Sequence, residues 1–418
     1  MKDLDYKNKN LVFAKADVAS VARKFPTPFF LYSEEILTKN YESFYQGARA
    51  AGLIDPLVCF AMKSNPNKSL VKILGKLGSG ADIVSGGELK RALESGIPAG
   101  KIVFSGVGKT EEEIIFALRK KIYSFNVESV EELELINKLA RKLKTSARIC
   151  FRLNPEVTPK THKFISTGNK THKFGILEKD VLAAVRKKSL WTHCRLVGLS
   201  VHIGSQLLDL RATGMAIARM CEIALRSGVA LDFLDVGGGL GVDYHPDESR
   251  RLPGIKEYME LVATQLEKHY YSKTPHRPRV VFEPGRRIVA KAGIFVMSVL
   301  RNKVSEDNHF LIVDGGMNDF MRPAIYGAYH GLLPVKKARN AVNCHVVGPI
   351  CETTDCFASD RPLPRLRAGD KLVLSDTGAY GFSMGSNYNL RGRPLELLLK
   401  KNGELKIVNK PQRYEELL

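Results

Sequence analysis

Residues 57–94 read LVCFAMKSNPNKSLVKILGKLGSGADIVSGGELKRALE, and one structural pattern occurs twice within them. The apolar run Leu57–Met62 is followed by an amphipathic stretch at Ser69–Leu77. The run Ala81–Ser85 is followed in the same way by Glu88–Glu94. A strand, a short turn and a helix that recur in this order predict a parallel sheet.

The same alternation continues on the carboxyl side of this stretch. Together with the first two runs, it marks eight strands, at Leu57–Met62, Ala81–Ser85, Ile102–Ser105, Ser124–Val127, Ala147–Leu153, Leu196–Ile203, Phe233–Val236 and Val280–Phe282. Capping boxes of the form S/T-x-x-E are expected at Ser85…Glu88, Thr110…Glu113 and Ser129…Glu132. Eight repeats over roughly 230 residues predict an α/β fold closed into a (β/α)8 barrel. A doubly wound open sheet is the alternative.

From about Gly293 onward, strand-like runs are joined by turns, and helical patterns are few. These runs are Ile294–Leu300, Phe310–Val313, Asn343–Val347 and Lys371–Ser375. They predict a second, mostly β domain, which the opening segment with its strand at Pro28–Tyr32 joins. We expect the barrel at residues 33–292 and the β-rich domain at residues 1–32 and 293–418.

The composition is that of a soluble globular protein, with 44% hydrophobic and 26% charged residues. The 64 basic and 44 acidic residues give a net charge of +20, which is spread along the chain and indicates a solvated basic surface. Nucleic-acid binding is the alternative interpretation, and we expect neither a nucleic-acid nor a membrane partner. Seven cysteines without a framework spacing favour the cytoplasm. The spacing of Cys344, His345, Cys351 and Cys356 fits no common zinc site, so no metal is expected.

Two motifs lie where a barrel of this kind binds phosphate, after its seventh and eighth strands. The first is the glycine triplet Gly237–Gly239, and the second is Glu283-Pro284-Gly285-Arg286. Glycines let backbone amides approach an anion, and arginine adds charged donors. A tight turn is the alternative for the triplet alone, but the two motifs together predict a phosphate site.

Lys63 directly follows the first strand of the predicted barrel. A lysine in an apolar, cation-lined pocket has a lowered pKa and forms imines with aldehydes. An aldehyde with a phosphate group is pyridoxal phosphate, whose ring nitrogen requires a carboxylate such as Glu283. His202 is placed to lie against the ring. The alternatives are a solvated surface lysine and a hydrogen-bonded core histidine.

With these residues the chain resembles the fold-type III pyridoxal-phosphate decarboxylases, whose fold is a (β/α)8 barrel with a β-rich domain, like that of alanine racemase. The resemblance covers nearly the full length. Its motifs are FAMKSN at 60–65, GADIVSGGE at 80–88, HIGSQ at 202–206, the glycine triplet, EPGR at 283–286, DGGMND at 314–319, MRPAIY at 321–326, GPICE at 348–352 and GAY at 378–380.

The resemblance implies a role for each matching residue. The catalytic residues would be Lys63, which forms the Schiff base, His202, which stacks on the ring, and Cys351, which protonates the carbanion after CO2 leaves. The cofactor-binding residues would be Lys63, His202, Ser205, Gly238, Gly239, Glu283, Pro284, Gly285, Arg286 and Tyr380. The substrate-binding residues would be Arg286, Arg322, Tyr326, Glu352 and Tyr380. Because Cys351 and Glu352 come from the partner subunit in the family, a homodimer with shared active sites is also implied.

The activity implied by the resemblance is decarboxylation of meso-2,6-diaminopimelate to L-lysine and CO2, the final step of lysine biosynthesis. Decarboxylases of ornithine, lysine, arginine or carboxynorspermidine are the alternatives, and Arg322 argues against those with a plain cationic substrate. A non-catalytic relative is a third hypothesis, and a buried apolar thiol is the structural alternative for Cys351. The chain departs from the family pattern at Gly327, Thr353, Thr354 and Gly392.

Overall fold

The chain divides into two units, each built from separate stretches of sequence. The computed structural model describes residues 3–157, 173–245, 252–306 and 308–418. The described residues within Tyr41–Val242 and Arg250–Arg287 form one unit, which we call the barrel unit. Those within Met1–Asn40, Asp243–Ser249 and Ile288–Leu418 form the other, which we call the β-rich unit.

The first elements of the chain belong mainly to the β-rich unit. They are β1 (Leu4–Lys7), β2 (Asn10–Phe13), β3 (Ala16–Asp17), α1 (Val18–Lys24), β4 (Phe29–Ser33) and α2 (Glu34–Ala50). Strands β1, β2 and β3 form a small antiparallel sheet. Every residue of β4 is buried, as expected for a central strand of a larger sheet. The boundary between the units at Asn40 falls within α2.

The barrel unit is built on eight parallel strands. They are β5 (Leu57–Ala61), β6 (Gly80–Ile83), β7 (Ile102–Phe104), β8 (Ser124–Val127), β9 (Ala147–Asn154), β11 (Cys194–Val201), β12 (Phe233–Asp235) and β13 (Arg279–Phe282), and the short strand β10 (Ile176–Leu177) adds to β9. Strand β13 pairs with β5, and β8 pairs with β9, so the sheet is closed. The prediction of a (β/α)8 barrel is therefore confirmed, with its eight strands at the eight predicted positions.

Helices follow most of these strands. They are α3 (Lys68–Lys76), α4 (Gly86–Glu94), α5 (Glu111–Lys120), α6 (Val130–Lys142), α7 (Glu178–Arg186), α8 (Arg211–Ser227), α9 (Ile255–His269) and the short α10 (Arg286–Val289). Apolar side chains from several strands meet in one buried cluster, which includes Cys59, Val103, Cys150 and Phe233. The centre of the barrel is thus a packed core, and its polar residues lie at the carboxyl ends of the strands.

The carboxyl-terminal part of the chain completes the β-rich unit. Its elements are β14 (Gly293–Ser305), β15 (Asn308–Val313), α11 (Arg322–Tyr326), β16 (Leu332–Pro334), β17 (Ala341–Val347), β18 (Cys356–Pro364), β19 (Lys371–Leu374), β20 (Leu395–Leu399) and β21 (Leu405–Asn409). The main sheet has the order β18-β17-β15-β14-β4-β20-β21, and β19 joins β16 to β14. The mostly β character predicted for this part of the chain is confirmed. Among the described residues, no helix combines the length and apolar character needed to span a membrane.

Candidate active site

Lys63 lies at the carboxyl end of the first barrel strand. Strand β5 ends at Ala61, and a single 3-10 turn over Met62–Ser64 carries the lysine. Its Nζ is 3.6 Å from Oδ2 of Asp82, at the end of the neighbouring strand β6. The Asp82 side chain is 1% exposed, and neither of its oxygens has a hydrogen-bond partner in the described structure. The Lys63 amine therefore faces a buried carboxyl group.

A pair of buried carboxyl groups lies at the ends of β12 and β13. Asp235 is fully buried, and Glu283 is 8% exposed. The Asn126 amide donates hydrogen bonds to both, over 3.1 Å to Oε1 of Glu283 and 3.4 Å to Oδ2 of Asp235. Burial raises the pKa of Asp235 to about 7. Burial and repulsion from Asp235 raise the pKa of Glu283 well above its usual range, so the pair holds a proton at neutral pH.

His202 directly follows strand β11 at the same end of the barrel. Its Nδ1 accepts a hydrogen bond from the backbone N–H of Gly238 at 3.2 Å, which places the proton of a neutral ring on Nε2. Burial and the nearby cations Lys63 and Arg152 lower the pKa of His202 well below its usual value. The ring is therefore an uncharged planar surface at neutral pH.

The glycine triplet and the segment after β13 approach each other closely. A Cβ atom on Gly238 would lie 2.1 Å from the backbone oxygen of Glu283, and Gly239 has a φ of +103°. Side chains do not fit at these positions, so the backbone amides there are accessible to a ligand. Nearby, the buried Arg286 donates to the Ser205 hydroxyl through Nη2 at 3.0 Å. Together these groups form a donor-rich cluster suited to an anion.

The residues gathered in the barrel unit fit pyridoxal phosphate. Lys63 offers an amine for its aldehyde, Glu283 a carboxyl for its ring nitrogen, and the cluster around Gly238 and Arg286 offers donors for its phosphate. The Asp82 oxygens, which have no hydrogen-bond partner in the described structure, test this fit. A buried carboxylate without hydrogen bonds is costly unless a cation faces it, and the Lys63 nitrogen that would bind the cofactor lies 3.6 Å away. Gly285 and Pro284 lie beside this cluster, since Cβ on Gly285 would contact Ser64 and the Pro284 oxygen accepts from Ala61 N–H.

The predicted substrate-binding residues Arg322 and Tyr326 begin and end helix α11 of the β-rich unit. The Arg322 side chain is 6% exposed and donates to the hydroxyl of Tyr244 at 3.1 Å, and its Nη1 lies 3.4 Å from Nε2 of His330. Gly327 caps the helix in a left-handed conformation with a φ of +57°. The departure from the family pattern at this position thus suits a helix end, where glycine carries no steric penalty.

Cys351 and Glu352 lie in the turn between β17 and β18 of the β-rich unit. Both are exposed, and the backbone N–H of Cys351 donates to Oδ1 of Asn389 at 2.8 Å. The alternative of a buried apolar thiol at position 351 is therefore wrong. Tyr380 follows strand β19 and has a left-handed φ of +57°, an unusual backbone conformation for a tyrosine.

Several polar residues of both units were not singled out from the sequence. Asp82 lies in the motif at 80–88 and Asp235 in the predicted strand Phe233–Val236, and a charged residue inside an apolar strand is a signal that could have identified both. Asn126 is the third of the four buried residues of strand β8, where a polar side chain gives a similar signal. Tyr244 and His330 carry no local signal of this kind, because their relation to Arg322 arises only in the folded chain.

Comparisons with known proteins agree with this geometry. The sequence model of the family "Pyridoxal-dependent decarboxylase, pyridoxal binding domain" matches residues 42–290. The chain is 40% identical over 416 residues to diaminopimelate decarboxylase of Aquifex aeolicus, covering 99% of this chain and 96% of that protein. The crystal structure of diaminopimelate decarboxylase from Helicobacter pylori complexed with L-lysine is similar, with a TM-score of 0.89, 38% identity and coverage of 96% and 98% of the two chains. The M. jannaschii enzyme in co-complex with L-lysine has a TM-score of 0.93 at 36% identity, with coverage of 99% and 96%.

Proposed function

The chain belongs to the family of pyridoxal-dependent decarboxylases, and we propose from this premise that it converts meso-2,6-diaminopimelate to L-lysine and CO2. The observation that carries the proposal is the 40% identity to a diaminopimelate decarboxylase over 99% of this chain. The ends of neighbouring barrel strands carry the amine and the carboxyl group that this chemistry requires, at Lys63 and Glu283. The reaction is the last step of lysine biosynthesis.

Pyridoxal phosphate, when bound, supplies a ring that accepts the electron pair released as CO2 leaves. Lys63 would bind its aldehyde carbon, and the Asp82 carboxylate would hold a positive charge at the lysine nitrogen. Glu283 would retain a proton between its carboxyl group and the ring nitrogen. Its partner Asn126 holds the carboxyl group in place, with Nδ2 at 3.1 Å from Oε1.

The remaining barrel residues would orient the cofactor. The neutral His202 ring would lie against the cofactor ring, because Gly238 N–H fixes its tautomer and orientation. Ser205, Gly238, Gly239, Gly285 and Arg286 would bind the phosphate, aided by Tyr380. The Arg286–Ser205 hydrogen bond positions the guanidinium before any anion arrives.

The substrate would be recognised through its second carboxylate, the one that is not removed. Arg286, Arg322 and Tyr326 would bind it, and Glu352 would bind the distal ammonium group. Cys351 would deliver the proton to the carbon that has lost CO2. The exposure of Cys351 and Glu352 in their own chain supports a homodimer in which these residues complete the site of the partner subunit.

We also propose that the enzyme works in the cytoplasm. All seven cysteines are free, with Cys59, Cys150, Cys194, Cys221 and Cys344 buried, Cys356 half-buried and Cys351 exposed. Unpaired thiols are typical of reducing compartments.

Borohydride reduction followed by peptide mass mapping tests the covalent assignment. We expect a reduced cofactor adduct on the peptide that contains Lys63, and its loss in Lys63→Ala. The exposed helix residue Lys72 provides a control, since Lys72→Ala should retain the adduct. An adduct on another lysine of the unsubstituted protein would refute the proposed cofactor site.

Release of CO2 from competing amino acids tests the substrate. We expect meso-diaminopimelate to be turned over far faster than ornithine or lysine, because a buried arginine left without its carboxylate strongly disfavours the poorer substrate. Faster turnover of a monocarboxylate would instead favour the alternative, a decarboxylase of another amino acid.

A further inference from the structure

The Arg322 guanidinium contacts the side chains of Tyr244 and His330. Its Nη1 lies 3.1 Å from the Tyr244 hydroxyl and 3.4 Å from Nε2 of His330, and its guanidinium carbon is 5.1 Å from the centre of the Tyr244 ring. Tyr244 is 7% exposed, and His330 is fully buried. The phenol oxygen of Tyr244 and the ring nitrogen of His330 both face the guanidinium, so these two contacts orient it.

The orientation of the His330 ring is fixed from three directions. Its Nδ1 lies 2.8 Å from the backbone oxygen of Ser375, and a carbonyl oxygen can only accept a hydrogen bond. The rings of Tyr244 and Phe320 lie with their centroids 4.8 Å and 4.7 Å from that of His330. The imidazole is therefore locked in place by its own anchor and by two aromatic neighbours.

The same anchor fixes the tautomer of His330. With the proton on Nδ1, a neutral ring has its lone pair on Nε2, and that lone pair faces the N–H groups of Arg322. The opposite tautomer would place two donors against each other and leave the Ser375 oxygen without this donor. His330 thus acts as a rigid acceptor for the guanidinium.

From this geometry we infer that His330, with Tyr244, is a positioning residue that holds Arg322 in the orientation needed to bind the carboxylate that the reaction leaves intact. The inference rests on the proposed function, in which Arg322 binds that carboxylate. Bidentate binding requires the plane of the guanidinium to be fixed, since both N–H···O bonds form only in one orientation. His330 therefore determines how strongly the enzyme prefers substrates with this carboxylate.

Two substitutions at position 330 separate positioning from simple packing. The amide nitrogen of asparagine lies about where Nδ1 of histidine does, so His330→Asn keeps a donor for the Ser375 oxygen and removes the acceptor for Arg322. The longer His330→Gln places an amide oxygen near the former Nε2 and keeps the acceptor. Tyr244→Phe removes the second acceptor and retains the ring.

The measurement compares two competitive inhibitors that differ by one carboxylate, L-lysine and cadaverine. In His330→Asn we expect the inhibition constant of L-lysine and the KM of diaminopimelate to rise about tenfold or more, the scale of a lost hydrogen bond to a charged group. The inhibition constant of cadaverine should change less than about twofold, and kcat should fall less than KM rises. His330→Gln should restore most of the L-lysine affinity.

Arg322→Gln serves as the reference and separates the proposed carboxylate contact of Arg322 from the positioning role of His330. If it weakens L-lysine and cadaverine equally, the proposed carboxylate contact of Arg322 is wrong. If Arg322→Gln is selective for L-lysine but His330→Asn is not, or if His330→Asn and His330→Gln behave alike, the positioning role is overturned. Should His330→Asn fail to fold, Tyr244→Phe tests whether the neighbours of Arg322 position it. If the ratio of the L-lysine and cadaverine inhibition constants is unchanged in that variant, the positioning role is overturned.

Discussion

Asp235 and Glu283 place two carboxyl groups on neighbouring strands inside the barrel unit. Both accept hydrogen bonds from Asn126, and burial raises the pKa of both, that of Asp235 to about 7. In the unfolded chain these groups ionise near pH 4. The folded chain therefore holds a proton that the unfolded chain has already released, over the range between roughly pH 4 and pH 7.

The sign of the resulting pH dependence follows from this difference. Because the folded state binds more protons, the free energy of unfolding falls as the pH rises from about 4 towards 7, by up to about 1.4 kcal/mol per pH unit for each extra proton. Asp235→Asn removes one carboxyl group and the repulsion that it exerts on Glu283. We expect its cofactor-free form to lose less stability over this range than the cofactor-free unsubstituted protein.

Urea unfolding of the two cofactor-free proteins at a series of pH values measures this difference. Other buried carboxyl groups, such as Asp319 with a pKa raised by burial to about 7, contribute equally to both proteins and cancel. Equal slopes for the two proteins would mean that the pair carries no excess proton in the fold.

Individual residues differ in how far the sequence alone identified them. Lys63 and Glu283 could be placed at the barrel mouth, because the ends of strands follow from local apolar runs. The contacts of Asp82 and Asn126 could not be predicted, since each depends on a side chain from a different strand. The acceptor role of His330 could not be predicted from the sequence either, because it depends on the backbone oxygen of Ser375, 45 residues away.

At the scale of elements, the starts of helices α4 and α5 are joined by one side chain. Glu113 accepts from the backbone N–H of Thr110 at 3.0 Å, as the predicted capping box requires. Its other oxygen accepts from the backbone N–H of Gly86 at 2.7 Å, in the first turn of α4. One carboxylate thus satisfies free donors at two helix ends.

Replacing this residue tests the double cap. We expect Glu113→Ala to lower the free energy of unfolding by about 1–3 kcal/mol, because two helix donors lose their acceptor. The neighbouring exposed Glu112 is a matched control, since Glu112→Ala removes the same charge from the same helix turn and should change stability by less than about 0.5 kcal/mol. Chemical denaturation measures the free energy of unfolding of both variants. Equal losses would mean that the lost charge, and not the double cap, accounts for the effect of Glu113→Ala.

The other two predicted capping boxes differ from expectation in one detail. Ser85 and Ser129 accept from the backbone N–H of Glu88 and Glu132, as predicted. The two glutamates, however, accept from the residues before the caps, Val84 and Glu128. Glu132 also binds the buried Lys109 at 2.6 Å, a tertiary contact that the sequence pattern does not contain.

At the scale of the whole molecule, the barrel was predictable and the order of the other sheet was not. Each barrel strand pairs with the next barrel strand along the chain, and the last pairs with the first, so counting the repeats was sufficient. In the β-rich unit, β4 pairs in parallel with β20, which joins Phe29 to Leu395. A pairing between such distant segments leaves no local signature, because only the folded chain brings them together.

The proposed homodimer makes a further prediction about the whole molecule. If Cys351 completes the active site of the partner subunit, Lys63→Ala and Cys351→Ala damage the same site from different chains. A mixed dimer then has one site with both substitutions and one site with neither. We expect purified mixed dimers to regain about half of the unsubstituted activity, while each parent variant is nearly inactive.

The two chains can be co-expressed with different affinity tags, so that two purification steps isolate the mixed dimer. The matched control is a mixed dimer of a Lys63→Ala chain and a Glu283→Ala chain. Lys63 and Glu283 lie in the same barrel unit, so each site of that dimer carries one substitution. It should stay inactive. A mixed Lys63→Ala and Cys351→Ala dimer that forms but regains no activity would place Cys351 in the site of its own chain, and the sharing of sites between subunits would be wrong.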